Sequence, residues 1–327
     1  MANFILRRLL YMAATIVFIS IIGFILIQLP PGSALDAKIQ QLRAQGGEMS
    51  QDQIRTLEDR FGLRDPVHVK YWKWVTGVVH GDFGRSFTYE APVGQLIWDR
   101  IGFSLVLSLA ALIFSWLVAI PLGVYSATHR YTIPDYIITL IQFVGVAVPN
   151  FLLALILMVF AANVLRVDVG GLYSVQYQNA PWSWEKFQDL LRHLWIPVIV
   201  ISAGSTAWLT RVMRANLLDV LNQQYVQTAR SKGVRENVVI WKHAVRNALH
   251  PLIMALGGTL PALISGEVIV STVLNLPTTG PLYFNALIRK DMYLAITFLL
   301  FLSIMLVVGN LLADLLLAWV DPRVRLE

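Results

Sequence analysis

The sequence predicts an all-α polytopic membrane protein with six transmembrane helices and both termini in the cytoplasm. Three observations carry this expectation. Of 327 residues, 56% are hydrophobic and only 14% charged, with a mean hydropathy of +0.61, whereas soluble domains carry roughly 45–50% apolar and about 25% charged residues. Uncharged runs recur at the length of about 20 residues that a helix needs to cross about 30 Å of hydrocarbon. The short basic clusters fall on one side of the membrane when six spans are counted. With no cysteine, the chain builds no disulfide scaffold, no Cys-ligated zinc or iron–sulfur site and no thiol nucleophile. Its net charge of +6 and pI near 9.6 call for no nucleic-acid partner, because Lys and Arg retained in cytoplasmic loops account for both.

The first span runs from Leu9 to Leu29. Arg7 and Arg8 precede it, as in a secretory signal, but the apolar run exceeds the roughly 7–15 residues of a signal core. Leu29-Pro30-Pro31-Gly32 is no small-residue cleavage site, so the segment reads as an uncleaved anchor. The arginine pair also lacks the surroundings of a twin-arginine signal. Residues Pro31 to Arg100 then form a polar outer segment with Leu42, Ile54, Leu57 and Phe61 as sparse apolar anchors. Ser50 and Gln53 make a capping box ahead of Ile54, and Gly62 is placed to end that helix. A second stretch, Val67 to Val79, sets Tyr71, Trp72 and Trp74 beside Lys70 and Lys73, an interfacial aromatic belt rather than a ligand platform.

The remaining spans are Ile101 to Tyr125, Ile137 to Leu165, and Leu194 to Thr210, the last extendable toward Met213 past one arginine. Pro251 to Leu276 follows, interrupted only by Glu267, and then Met292 to Ala313, continuing past Asp314 to Val320. The loop from Arg166 to His193 places Trp182 and Trp184 at a membrane interface. Between Arg211 and His250, Arg211, Arg214, Arg230, Lys232, Arg235, Lys242 and Arg246 oppose only Asp219 and Glu236, so this loop is cytoplasmic. Arg7 and Arg8, His129 and Arg130, and Arg323 and Arg325 fall on the same side. The long outer segment contains cations too, but Asp and Glu match them and a loop of that length translocates regardless.

No phosphate loop, dinucleotide fingerprint, HExxH or GxSxG occurs, so nucleotide binding by this chain is not expected. The six histidines lie outside the spans or at their edges with no i, i+4 pair to grip a metal. Catalytic, cofactor and metal sites are therefore expected to be absent. Intramembrane charge is costly, which singles out Glu267, as a structural carboxylate or as part of a pathway. An ion-coupled carrier using Glu267 is the rival reading, although such carriers pair interrupted helices in repeats that are not found here. Pro121, Pro149-Asn150, Pro197 and Pro261 each read as a plain kink.

The segment from Tyr225 to Gly233 is less generic than a basic loop. Ala229 and Gly233 are four apart, so if a helix runs through them they share a face that lets another protein approach closely, with Arg230 and Lys232 beside it. Gln227-Thr228-Ala229, three residues and Gly233 resemble the E-A-A, three residues, G pattern of the permease subunits of ATP-binding-cassette importers. Tyr225-x-x-Thr228-Ala229-Arg230-x-Lys232-Gly233 followed by His243-Ala244-x-Arg246-Asn247-Ala248-Leu249-x-Pro251 is similar to the dipeptide, oligopeptide and nickel branch. Gln227 and Thr228 depart from the broad pattern, as do Ala248-Leu249-His250-Pro251. The likeness extends in order through Gly62-Leu63-x-Asp65-Pro66, Gly81-Asp82-Phe83-Gly84-Arg85-Ser86, Arg211-x-x-Arg214-Ala215 and Ser265-Gly266-Glu267-Val268-Ile269-Val270.

This resemblance implies a type I importer transmembrane domain in the bacterial inner membrane. It divides the chain into an N-terminal anchor (1–30), a periplasmic segment (31–93), a core permease of five spans (94–319) with a coupling loop at about 214–250, and a cytoplasmic tail (320–327). It further implies a second permease subunit, two cytoplasmic ATPases that bind ATP and magnesium, and an extracytoplasmic binding protein. Tyr225, Gln227, Thr228, Ala229, Arg230, Lys232 and Gly233 would dock an ATPase, and a bulky side chain at Ala229 or Gly233 would unseat it. Asn150, Ser265 and Glu267 are candidate pathway residues, and Gly81, Asp82, Gly84 and Arg85 candidates for docking the binding protein. The family branch points to a peptide as cargo. Leu29-Pro30-Pro31-Gly32 and the tryptophan-rich second outer loop look like members associated with oligosaccharide uptake. The long outer segment resembles one partner of a heterodimer.

Overall fold

A computed structural model describes residues 2–29, 32, 34–44, 46–47, 50–62, 64–166 and 170–320, with the backbone alone at 2–9, 34, 37, 38, 41, 60, 61, 259–267 and 318–320. Among the described residues the chain is helical, and the only strand-like pairing is an isolated bridge between Arg85 and Pro92. The helices are α1 (Ala2–Gln28), α2 (Ala34–Ala44), α3 (Gln51–Phe61), α4 (Val67–Val79), α5 (Val93–Thr128), α6 (Ile133–Ala147) and α7 (Asn150–Phe160). There follow α8 (Trp184–Leu221), α9 (Gln224–Ser231), α10 (Glu236–Val238), α11 (Val245–Ala248), α12 (His250–Val273), α13 (Thr279–Ile288) and α14 (Met292–Val320). Two compact units result: Met1–Ser104 with Thr278–Val307, and Leu105–Pro277 with Val308–Glu327.

Among the described residues, four helices are long and apolar enough to cross a membrane: Leu10–Gln28, Val93–Thr128, Trp184–Leu221 and Met292–Leu317. A bent pair, Ile133–Ala147 with Asn150–Leu165, passes the same test together. With α12 they account for the six apolar segments expected. The third segment, however, is not one rod: α6 and α7 meet at 108°. Pro149 has no N–H to continue the ladder, and it drives Val148 to extended geometry (φ −81°, ψ 121°). Pro121 and Pro197 stay inside continuous helices, so the expected plain kink at Pro149 is instead a break. The fourth segment is also longer than read, 38 residues from Trp184 to Leu221.

In the first unit, α3 begins with the capping box: Gln53 N–H donates to Ser50 Oγ at 3.3 Å and Ser50 N–H to Gln53 Oε1 at 3.0 Å. Gly62 closes this helix. In α4, Tyr71 and Trp74 share a face by i, i+3 spacing and turn inward. Trp74 is 3% exposed and packs with Phe24, Ile296 and Leu300, while its Nε1 reaches Thr297 Oγ1 at 3.4 Å. Tyr71 pairs with Ser20 at 2.9 Å. Of the three aromatics, Trp72 is 64% exposed and faces outward, Tyr71 is half-buried and Trp74 alone is buried, so one ring of the stretch read as an aromatic belt is core.

In the second unit, two crossings depend on missing side chains. A Cβ on Gly123 of α5 would lie 2.7 Å from Met213 Cβ and 3.0 Å from the Thr210 carbonyl of α8. Gly257 of α12 leaves the space that Asn310 of α14 fills, and Gly309 lies against the Gly257 carbonyl. Such close backbone approach is how membrane helices gain dispersion contact without a hydrophobic drive.

Candidate functional site

After α8 ends at Leu221, the chain turns and forms the eight-residue α9. Its sequence places Val226 and Ala229 three apart, and both point into the second unit's core with Ala119, Val124, Met213, Leu217, Val239 and Val245. Ala229 is 9% exposed. It therefore serves this chain's own packing instead of an outward face. The helix stops at Ser231, two residues before Gly233, so the shared face proposed for Ala229 and Gly233 does not form. Gly233 has φ +72°, and its N–H donates to the Arg230 carbonyl at 2.9 Å while Val234 N–H donates to the Ala229 carbonyl at 3.3 Å. This is a Schellman closure, in which a left-handed residue lets the chain reverse and satisfies orphan carbonyls. A Cβ at Gly233 would meet nothing within 4 Å, so backbone conformation is the intrachain reason for glycine here.

Arg230 is engaged across that turn, donating from Nη2 to Glu236 Oε1 at 2.6 Å and from Nε to Oε2 at 3.2 Å. The hydrogen bond from Arg230 holds the Glu236 carboxyl below its ordinary range. Asn247 donates to the Tyr225 hydroxyl at 2.6 Å, and Gln227 Nε2 reaches back to the Leu221 carbonyl at 3.2 Å. Tyr225, Gln227, Thr228 and Lys232 are exposed. The segment thus presents a short polar surface helix whose inner face is anchored and whose ends are tied.

Sequence reading missed the polar centre behind this helix. Asp135, in the first turn of α6, is 2% exposed, and its oxygens accept from Arg214 Nε at 3.1 Å, Arg214 Nη2 at 2.9 Å and Tyr131 N–H at 3.0 Å. Ser126, near the end of α5, donates to the same carboxylate and accepts from Arg214 Nε at 2.9 Å. Three helices meet there. The sequence signals were an aspartate in an otherwise apolar helix start and Arg214 of the Arg211-x-x-Arg214-Ala215 motif, with nothing in the chain order to pair them.

In the first unit, the turn after α4 is built by Gly81 and Gly84, at φ +81° and +82°. Asp82 accepts from Gly84 N–H at 2.9 Å, and a Cβ on Gly84 would stand 3.0 Å from the Tyr293 ring. Arg85 is exposed and donates to the Glu90 carbonyl. Behind the turn, Asp291 is 1% exposed and accepts from Ser86 Oγ at 2.6 Å and Thr88 N–H at 2.8 Å. The four docking candidates thus belong to one ordered turn.

Asn150 starts α7 immediately after the break and is half-buried. The side chains of Arg7, Arg8, Phe61, Pro261, Ser265 and Glu267 lie outside the described residues, as do Pro30, Pro31, Leu63, Arg323 and Arg325 altogether. Among the described residues no group of three or more His, Cys, Asp or Glu could hold a metal ion.

Apolar helices of spanning length, a broken span and a short anchored polar helix between spans make up a multi-pass membrane protein. The chain belongs to the binding-protein-dependent transport system inner membrane component family, which matches residues 119–326, and the N-terminal family of the same membrane components matches residues 1–110. It is 37% identical over 327 residues to the oligopeptide transport system permease protein AppB of Bacillus subtilis, covering 99% of this chain and 100% of that one. A putative peptide permease protein of Brucella ovis is 35% identical, with 99% of each chain covered. The nickel import system permease protein NikB of Staphylococcus aureus (strain MRSA252) is 30% identical over 323 residues, covering 99% of this chain and 92% of that one. The protein is thus a multi-pass inner-membrane permease subunit of an ATP-binding-cassette importer, and the ion-coupled carrier finds no support.

Proposed function

We propose that this subunit passes a peptide-class solute from an external binding protein to the cytoplasm, driven by partner ATPases that dock on α9. The observation that carries the docking reading is the construction of α9: Val226 and Ala229 anchor it to the unit's core, while Tyr225, Gln227, Thr228 and Lys232 stay exposed. A partner pushing on such a helix moves the helices beneath it, because packed cores transmit strain and do not absorb it. In this reading α9 and both termini face the cytoplasm, in keeping with the basic clusters. ATP and magnesium are bound, and ATP hydrolysed, by two separate ATPases, and a second, related permease completes the pathway. Asn150 at the α6–α7 break, with Ser265 and Glu267 of α12, contributes polar groups to that pathway. The turn of Gly81, Asp82, Gly84 and Arg85 receives the binding protein.

Peptide is favoured as cargo because the relatives of highest identity named above are peptide permeases, while a nickel permease is more distant. Specificity is expected to rest mainly with the binding protein. The deciding experiment reconstitutes the subunit with its ATPases, second permease and binding protein in lipid vesicles and measures ATP-dependent uptake of labelled short peptides. Gln227→Trp and Thr228→Trp place bulk on the exposed face of α9 without entering the core. Both should abolish ATPase assembly while leaving the purified subunit folded. Normal assembly with both variants would overturn the docking role, and ATP-independent uptake by the subunit alone would overturn the importer reading.

A further inference from the structure

From the ion pair of buried Asp135 with partly exposed Arg214 we infer that Arg214 and Asp135 are positioning residues for transport, a clasp that makes α6 move with the helix carrying α9. This deepens the reading of α9 as the ATPase-docking helix and rests on it. Cohesion alone does not explain the pair. A buried salt bridge repays its desolvation poorly, and apolar side chains of similar volume stabilise as well or better, whereas a fork-shaped guanidinium on a carboxylate fixes geometry. Here Asp135 accepts from Arg214 through both Nε and Nη2, and Ser126 and the Tyr131 N–H complete its shell. The end of α5, the start of α6 and the last two turns of α8 are thereby held in one register.

Position supplies the rest. One turn before Arg214, the Arg211 guanidinium lies 5.3 Å over the Phe143 ring of α6, so α8 grips α6 at two levels. Between and beyond these arginines, Met213 and Leu217 belong to the core that seats Val226 and Ala229 of α9. The same stretch of α8 therefore carries α9 on one face and α6 on another. At its far end α6 stops at Val148 and the chain bends by 108° into α7 at Asn150. Thrust on α9 passes through α8 and the clasp to α6, and is delivered at the one break among the described spans. Without the clasp, α8 can shift while α6 lags, so ATP is spent with less solute moved.

The test uses the complete importer in lipid vesicles, comparing labelled short-peptide uptake with ATP hydrolysed per assembled complex. Asp135→Asn keeps the shape but weakens the pair; it should leave assembly intact and lower the uptake-to-hydrolysis ratio about tenfold, within the usual range of coupling losses. Arg214→Lys, which keeps the charge but not the fork, should lower it less, and the exchange of Asp135→Arg with Arg214→Asp should recover part of it. A packing role alone would reduce uptake and hydrolysis together, with the ratio unchanged, and that result overturns the clasp. If Asp135→Asn does not assemble, Ser126→Ala and Arg214→Lys carry the test: a reduced ratio supports the clasp and a wild-type ratio refutes it. Gln227→Trp separates the two readings. Lost assembly there with wild-type ratios in the clasp variants sinks only the clasp, whereas normal assembly of Gln227→Trp sinks the docking role beneath it.

Discussion

Replacing Gly233 by alanine separates two reasons for a glycine at the end of α9. The residue sits at φ +72°, where an L side chain costs roughly 1–2 kcal/mol. No steric term adds to this, because a Cβ would meet nothing within 4 Å. The cost falls on the closure made by Gly233 N–H to the Arg230 carbonyl and Val234 N–H to the Ala229 carbonyl. A loss of 1–2 kcal/mol multiplies the open population of that closure about 5- to 30-fold. Hydrogen exchange on the purified subunit in lipid discs should show the Gly233 and Val234 amides exchanging faster by that factor, with α12 unaffected. Gly233→Asn should show a smaller effect, since asparagine tolerates the left-handed region. Unchanged exchange in Gly233→Ala would refute the conformational account. If that variant also failed to bind the ATPase, the glycine would instead be there to admit the partner's surface.

Ala229→Leu should destabilise the subunit by about 1–3 kcal/mol through overpacking, lowering its unfolding midpoint with no ATPase present; an unaltered midpoint would mean that Ala229 is not core. Gly123→Ala should cost a similar amount, about 1–3 kcal/mol, since its Cβ would press on Met213 Cβ and the Thr210 carbonyl, and a wild-type melting curve would contradict that crossing. Ser86→Ala strips a donor from buried Asp291 and should loosen the turn at 81–92 by about 1–3 kcal/mol, read as faster proteolysis there; equal cleavage rates would count against it. The depressed Glu236 carboxyl makes its pair with Arg230 contribute fully above the ordinary glutamate range, and that contribution fades as pH falls through the lowered folded value. Because the pair is exposed, about 0.5 kcal/mol is at stake; amide exchange in α9 and α10 should therefore rise modestly below about pH 4 in wild type but not in Glu236→Gln, and identical profiles would refute it.

Much of the architecture was legible from local chemistry. Apolar runs marked the spans because burial in lipid tolerates little charge, and Ser50, Gln53 and Gly62 marked the bounds of α3 because caps act within a few residues. The collinear motifs around Gly62, Gly81, Arg211, Gly233 and Ser265 pointed to the importer family, to which the chain belongs. Pro149 was visible but its consequence was not: a proline in a membrane helix bends or breaks it according to what the neighbouring helices leave room for.

The tryptophans of α4 show the same boundary. Tyr71, Trp72 and Trp74 read together as an interfacial belt, yet which of them met Phe24 and Ile296 awaited the packing of α1 and α14. Ala229 is the sharper case, since a small residue suits an approaching partner as well as its own core, and only the position of Met213 and Leu217 decides between them.

By itself, then, the sequence determined the membrane class, the number of apolar segments and the family. Tertiary structure alone decided the 108° break, the inward face of α9 and the pairing of Asp135 with Arg214, 79 residues apart. The physical reason is range. Hydropathy, capping and turn chemistry act over one or two helical turns and are written in neighbouring residues, whereas a charge buried by one helix is neutralised by whichever distant helix the packing brings beside it.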